Sequence, residues 1–218
     1  MVTDEVLYSQ LPTGINTAKV YFAEDDILKM SSSAVHVRNR SNGKVGKKSR
    51  GVILMTIIST TELNALSKHY QELLQSQQTL LLSTVSEQGI PDISYAPFIR
   101  DQAGCFNIYV SELASHTRNL LNNPQTSVLF IRPEAESKNL FARERAVISC
   151  SVKEIARDDV SYPVRLHALQ ERFGEVITLL STLNDFHLFA LCPQSGRYVV
   201  GFGRAFKVNV ADDTVLPL

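Results

Sequence analysis

TLLLSTVSEQGIPDISYAPFIR, residues 79–100, decides the fold. Thr79 to Val85 and Ile90 to Ile99 are rich in β-branched and aromatic residues, and a turn carrying Gly89 separates them. This is the pattern of a β-hairpin. Pro97 interrupts the second run. Proline has no N–H for a ladder, so the position marks a sheet edge or a place where the strand opens.

Working outward, Ser59, Thr60 and Thr61 precede Glu62, a helix-start arrangement, and Leu63, Leu66, Tyr70, Leu73 and Leu74 follow at helical spacing. Downstream, Cys105 to Val110 reads as a third strand. A short helix comes next, with Ser111 as its N-cap and Leu113, Leu120 and Leu121 on its apolar side. Ser127 to Ile131 reads as a fourth strand. From Ala146 the alternation is clean: Ala146, Ile148, Cys150 and Val152 share one face, and Val147, Ser149, Ser151 and Lys153 the other. Val164 to Leu180 is helical, interrupted by Gly174; Asp185–Leu191 and Arg197–Val208 are strands flanking a turn at Pro193–Gly196. Six or seven antiparallel strands with two or three helices predict an α+β chain built on a small barrel, not a doubly wound sheet.

The composition divides the chain into an N-terminal extension (residues 1–58), the barrel domain (59–210) and a short tail (211–218). Ser31 to Gly51 holds six basic residues and no acid among Ser, Asn and Gly, a composition predicting a disordered, solvated tail. One reading puts the natural start at Met55. Lys+Arg and Asp+Glu are equal at 22 each, so no bulk field recruits nucleic acid or anionic membrane. The apolar run Val52–Ile58 is far below the roughly 20 residues a bilayer requires, and no secretory signal opens the chain. A cytoplasmic protein is expected. Cys105, Cys150 and Cys192 form no CxxC pair and lie in apolar context, predicting three buried small hydrophobes in a reducing compartment.

The sequence holds no GxGxxG opening a helix, no GxxxxGK[ST], no HExxH and no GxSxG. Gly201-Phe202-Gly203 sits in a strand-like run and reads as a bulge or close backbone approach. Four clusters are left to carry chemistry. Ser94-Tyr95-Ala96-Pro97-Phe98 lies where the strand opens. Ser115-His116-Thr117-Arg118 opens the short helix, whose free N–H groups suit an anion, with His116 and Arg118 adding charge. Lys138, Arg143 and Arg145 lead into the alternating strand and suit carboxylates. Asp185 and His187 fall on one face of a strand, where an acid orients a histidine.

LLSTVSEQGIPDISYAPF, SHTRNLLNNPQTSVLFI, LFARERAVISC, ERFGEVITLLSTLNDFHLFAL and GRYVVGFGRAFKV occur here in order. Together they resemble the HugZ/HutZ-type haem-utilisation family, within the FMN-binding split-barrel (pyridoxamine 5′-phosphate oxidase-like) superfamily. The resemblance implies a split β-barrel pairing as a homodimer with cofactor sites at the subunit interface. It also implies haem binding, with oxidative haem degradation that releases iron and draws on an electron donor. By position, Asp185 resembles the acid that hydrogen-bonds the proximal haem histidine, and Arg145 the basic residue near the haem. His116 falls where flavin-binding relatives carry a basic residue for the phosphate, and Ser94, Tyr95 and Arg118 are further cofactor-binding candidates. Two departures stand out. Flavin-binding relatives carry an Arg-Lys pair where this chain has Ser115-His116. The haem enzymes place their axial histidine beyond the last strand, whereas no histidine follows His187 here, which makes His187 the candidate substitute ligand. Two alternatives stand beside the haem reading: an FMN-dependent oxidoreductase, and a non-catalytic haem carrier or sensor.

Overall fold

The computed structural model describes residues 58–218. The expectations for the basic stretch and for a start at Met55 lie outside the described residues. Helix α1 (Thr60–Gln75) begins where Ser59 Oγ accepts the Glu62 N–H at 3.2 Å. It buries Leu66, Tyr70, Leu73 and Leu74, the stripe its spacing predicts. The chain then runs through β1 (Thr79–Val85), β2 (Pro91–Arg100), β3 (Phe106–Ser111), α2 (Ser115–Asn122), β4 (Gln125–Ile131), β5 (Arg145–Ile155), α3 (Tyr162–Phe173), α4 (Glu175–Ser181), β6 (Phe186–Gly201), β7 (Arg204–Asn209) and β8 (Thr214–Pro217).

The strands form one antiparallel sheet in the order β3-β2-β1-β4-β5-β6-β7-β8, and β3 also pairs with β6. That extra pairing closes β1 to β6 into a barrel and leaves β7 and β8 outside the closure. Strand β6 makes the split. Its first half, Phe186–Leu191, pairs with β3, and its second half, from Gly196, pairs with β7 on the same edge. Along its other edge β6 stays with β5 throughout.

The barrel interior is filled by Leu80, Leu82, Phe98, Phe106, Ile108, Val128, Phe130, Ile148, Phe189 and Leu191. Phe98, Phe106 and Phe130 meet at ring-centroid separations of 5.2 to 5.6 Å, in edge-on or tilted contacts. Strand β5 alternates as the sequence predicts, with Ala146, Ile148 and Cys150 buried and Val147, Ser149 and Ser151 exposed. A second apolar cluster lies outside the barrel wall, where α3 and α4 cover Ile99, Tyr109, Ile155 and Leu188. Gly174, at φ +78°, separates those two helices, a conformation that favours glycine.

Several expectations are corrected. Pro193–Gly196 is not a turn: β6 runs straight through it with a bulge, since Cys150 pairs with Pro193 while Ser149 pairs with Ser195. The reversal comes later, at Phe202-Gly203, where Gly201 faces Arg204; the glycine pair makes a hairpin turn, and the expected bulge lies beside it, in the register shift between Val199 and Gly201. Ser111 does not cap α2. The N-cap is Ala114, without a side-chain bond, while Ser111 Oγ accepts from the Leu113 N–H. Leu113 is 91% exposed and so is not on the apolar side. Within residues 211–218 an eighth strand pairs with β7 and packs on α1, Ser67 Oγ accepting the Val215 N–H at 2.8 Å. Cys105 and Cys192 are disulfide-bonded, and only Cys150 behaves as the expected buried hydrophobe.

Candidate functional site

Pro97 marks the place where β2 changes neighbours. Up to Pro97 the strand pairs with β1 alone; its ladder with β3 begins at Phe98. The missing proline N–H therefore falls on an edge where no strand needs it. Helix α2 packs beside this opening. Its Ser115 hydroxyl donates to Asp92, Ser94 Oγ and His116 Nδ1 are hydrogen-bonded at 2.8 Å, and Asn119 Nδ2 donates to Thr84 Oγ1 at 2.9 Å.

His116 is buried, and its Nε2 has no hydrogen-bond partner among the described residues. Burial lowers its pKa below the ordinary histidine value against the opposing pull of Asp92, so the ring is neutral at pH 7. Arg118 is exposed, and Tyr95 projects outward with 64% of its surface accessible.

Asp185 and His187 lie at the same end of the barrel. The Ser111 hydroxyl donates to Asp185 Oδ2 at 2.6 Å, and the Asp185 carbonyl accepts the Glu112 N–H. Thr117 Oγ1 donates to the Ser111 carbonyl, linking this group to the first turn of α2. His187 is held between two carboxylates: Nδ1 lies 2.6 Å from Glu154 and Nε2 2.6 Å from Glu112. Partial burial alone would depress its pKa, but the bonds to Glu154 and Glu112 outweigh that and raise it. The ring is a clasp between the β3–α2 turn, β5 and β6. Neither nitrogen is open toward a metal, and among the described residues no group of three or more His, Cys, Asp or Glu side chains is placed to hold one.

Arg145 stands apart. It pairs with Ile131 and Val199 at the far end of the β4–β5–β6 ladder, and Nη1 donates to the Arg143 carbonyl at 2.8 Å. Arg143 pairs with Glu134, and Lys138 is exposed. The structure thus brings Ser94 to His116, and leaves Asp185 in the turn before β6 while His187 lies within the strand, without bringing Arg145 to either within one chain. The sequence reading missed Asp92, Ser111, Glu112, Glu154 and Ser115 as the partners. Asp92 and Ser94 alternate on one face of β2, which was a legible signal; the glutamates lie 75 and 33 residues from His187 and carry none.

The outer sheet face is apolar in one row and hydroxylated in the next. Across strands, Tyr95 pairs with Leu81, Leu81 with Leu129, Leu129 with Val147, and Val147 with Arg197. The neighbouring row runs Ile93, Ser83, Ser127, Ser149, Ser195. Ile93 is 76% exposed, and Leu81 and Val147 are also exposed.

Residues 66–200 match the pyridoxamine 5′-phosphate oxidase family. Over 150 residues the chain is 43% identical to the haem oxygenase HutZ of Vibrio cholerae, a span of 69% of this chain and 84% of HutZ. The crystal structure of the Vibrio cholerae haem storage protein HutZ superposes with a TM-score of 0.59 at 40% identity, covering 64% of this chain and 99% of that one. Campylobacter jejuni ChuZ superposes with a TM-score of 0.62 at 26% identity, covering 71% of this chain and 63% of ChuZ.

Proposed function

The chain belongs to the HutZ-type haem-utilisation family, within the pyridoxamine 5′-phosphate oxidase-like split barrels, and on that premise we propose that it is a haem-binding protein of haem-iron utilisation. The 43% identity to HutZ carries this reading. The proposal extends to oxidative haem degradation with an external electron donor, releasing iron in the cytoplasm. Bound haem would supply the redox-active iron for that chemistry.

Haem requires an apolar wall, cations for its propionates and an axial donor. The exposed outer row Tyr95, Leu81 and Val147 suits the wall, and Arg145 suits a propionate. Asp185, fixed by Ser111, is placed to orient a histidine ligand. His187 is less suited to the axial role, because both ring nitrogens already have carboxylate partners and ligation through either one would displace Glu112 or Glu154. We assign it to holding the barrel end instead.

The alternative cofactor, FMN, fits less well. The first turn of α2, where a phosphate would sit, already faces the Asp92 carboxylate through Ser115, and His116 is held neutral. The same outer face supports a homodimer, since a second copy would remove Ile93, Tyr95, Leu81 and Val147 from water. Arg145 of one copy could then reach a site that its own chain leaves incomplete.

Haemin titration of the purified chain tests the reading. A saturable Soret band is expected, weakened by Arg145→Ala and Asp185→Asn and retained by His187→Ala. Yellow protein with flavin absorbance and no saturable Soret band would overturn it. Adding ascorbate in air separates degradation, which bleaches the band, from a non-catalytic carrier, which keeps it.

A further inference from the structure

The cysteine pair lies at the fork of the barrel. In the β3–β6 ladder Phe106 faces Leu191, so Cys105 and Cys192 are the next opposed pair, their Cα atoms 4.2 Å apart. The β3–β6 ladder ends at Phe106 and Leu191, so that pair lies just outside it. Both Cys105 groups are spent inside the β2–β3 turn, its N–H donating to Asp101 Oδ1 and its carbonyl accepting the Asp101 N–H. The Cys192 carbonyl accepts from Ser151 Oγ and Gln194 Nε2. Beyond this point Pro193 has no N–H, and the β6 edge stays unpaired until Gly196 meets Val208. The sulfur–sulfur bond is therefore the sole cross-link of the rung where β6 exchanges β3 for β7. The turn it anchors, residues 101–104, walls a cleft of about 480 Å3 that also touches Arg172 and Asp213.

The two cysteines differ in exposure. Cys105 is buried, whereas Cys192 is partly exposed. We propose that Cys105 and Cys192 form a reversible dithiol–disulfide couple, Cys192 reacting with small peroxides and thiols and Cys105 resolving it. On oxidation the Cys192 thiolate attacks one peroxide oxygen. An S–O bond forms, the O–O bond breaks, and the departing oxygen leaves as water. The Cys105 thiolate then attacks the Cys192 sulfur, the S–S bond forms, and hydroxide departs to take up a proton. Two thiols and one hydrogen peroxide give one disulfide and two waters, the sulfurs losing two electrons to the O–O bond. A small dithiol reverses the change by exchange at Cys192, leaving as its own cyclic disulfide. Cys150 stays outside the couple, with its thiol buried and its pKa pushed up to about 12 by that burial.

The inference does not depend on the haem reading, and its test uses no haem. The full chain is reduced with dithiothreitol, desalted without oxygen, and divided. One half receives equimolar hydrogen peroxide, and both are denatured in N-ethylmaleimide for intact-mass analysis. Three adducts are expected on the reduced half and one, at Cys150, on the oxidised half. Native dithiothreitol should then restore three. Dimedone after peroxide should label Cys192 in Cys105→Ser, with no label at Cys105 in Cys192→Ser. Three adducts after peroxide would overturn the proposal. So would a bond that resists native dithiothreitol, or dimedone at Cys105 instead of Cys192.

Discussion

Two histidines at one end of the barrel have pKa values moved in opposite directions, and the difference sets a pH dependence. His187 has a folded pKa raised above 6.5 by its two glutamates, after they overcome the cost of burial. Its contribution to stability is complete below that value and is lost as pH rises through the folded pKa. His116 has a folded pKa lowered from 6.5 by burial. The unfolded chain binds its proton more readily, so stability falls as pH drops below 6.5 toward the depressed value. Urea unfolding across the neutral range should show losses on both sides. His187→Gln should flatten the alkaline limb and His116→Asn the acid limb. A third expectation concerns Asn119, whose amide satisfies the buried Thr84 hydroxyl. Asn119→Ala should cost about 1–3 kcal/mol in the same unfolding experiment. Alternation sets Asp185 and His187 on one strand face, whereas β6 begins at Phe186 and Asp185 lies in the turn before it. It could not reveal that Ser111 takes the acid while Glu112 and Glu154 take the ring, because those contacts exist only once the barrel closes.

At the scale of elements, strands with one wet face were the legible ones. Strand β5 was read correctly because its inward residues are apolar and its outward ones largely polar. Strand β6 was broken in two because Pro193-Gln194-Ser195-Gly196 has turn composition, and composition does not distinguish a turn from a bulge that a neighbouring strand keeps in line. Gly196 itself has a packing reason. A Cβ there would meet Val208 Cβ at 2.9 Å across the β6–β7 ladder. Gly196→Ala should destabilise the chain by about 1–3 kcal/mol, read from its thermal midpoint. Adding Val208→Ala should not rescue it, since the contacting Cβ remains. The disulfide was missed because opposition of Cys105 and Cys192, 87 residues apart, follows from strand register and not from cysteine spacing. Reducing it should lower stability by roughly 2–5 kcal/mol.

For the whole molecule, the closed barrel covers its own interior and leaves the outer face of β1, β2 and β5 with exposed Leu81, Ile93, Tyr95 and Val147. On the proposal that this face pairs two copies, the chain should be a dimer by light scattering and Ile93→Glu a monomer, with its thermal midpoint within about 0.5 kcal/mol of equivalent stability. Loss of the saturable haem band in the same variant would place the haem site between subunits. The double allegiance of β6 has a further consequence for how the molecule is made. A ribosome delivers β1 to β5 before β6, so until β6 emerges the edges of β3 and β5 that it pairs have no partner. Closure waits for contacts such as Phe106 with Leu191, which are remote in sequence and slow to find. During that interval the exposed rim is a template for any passing strand. Synthesis at high concentration should therefore give aggregates seeded at the β3 and β5 edges, and a chaperone that shields them until β6 emerges should suppress them.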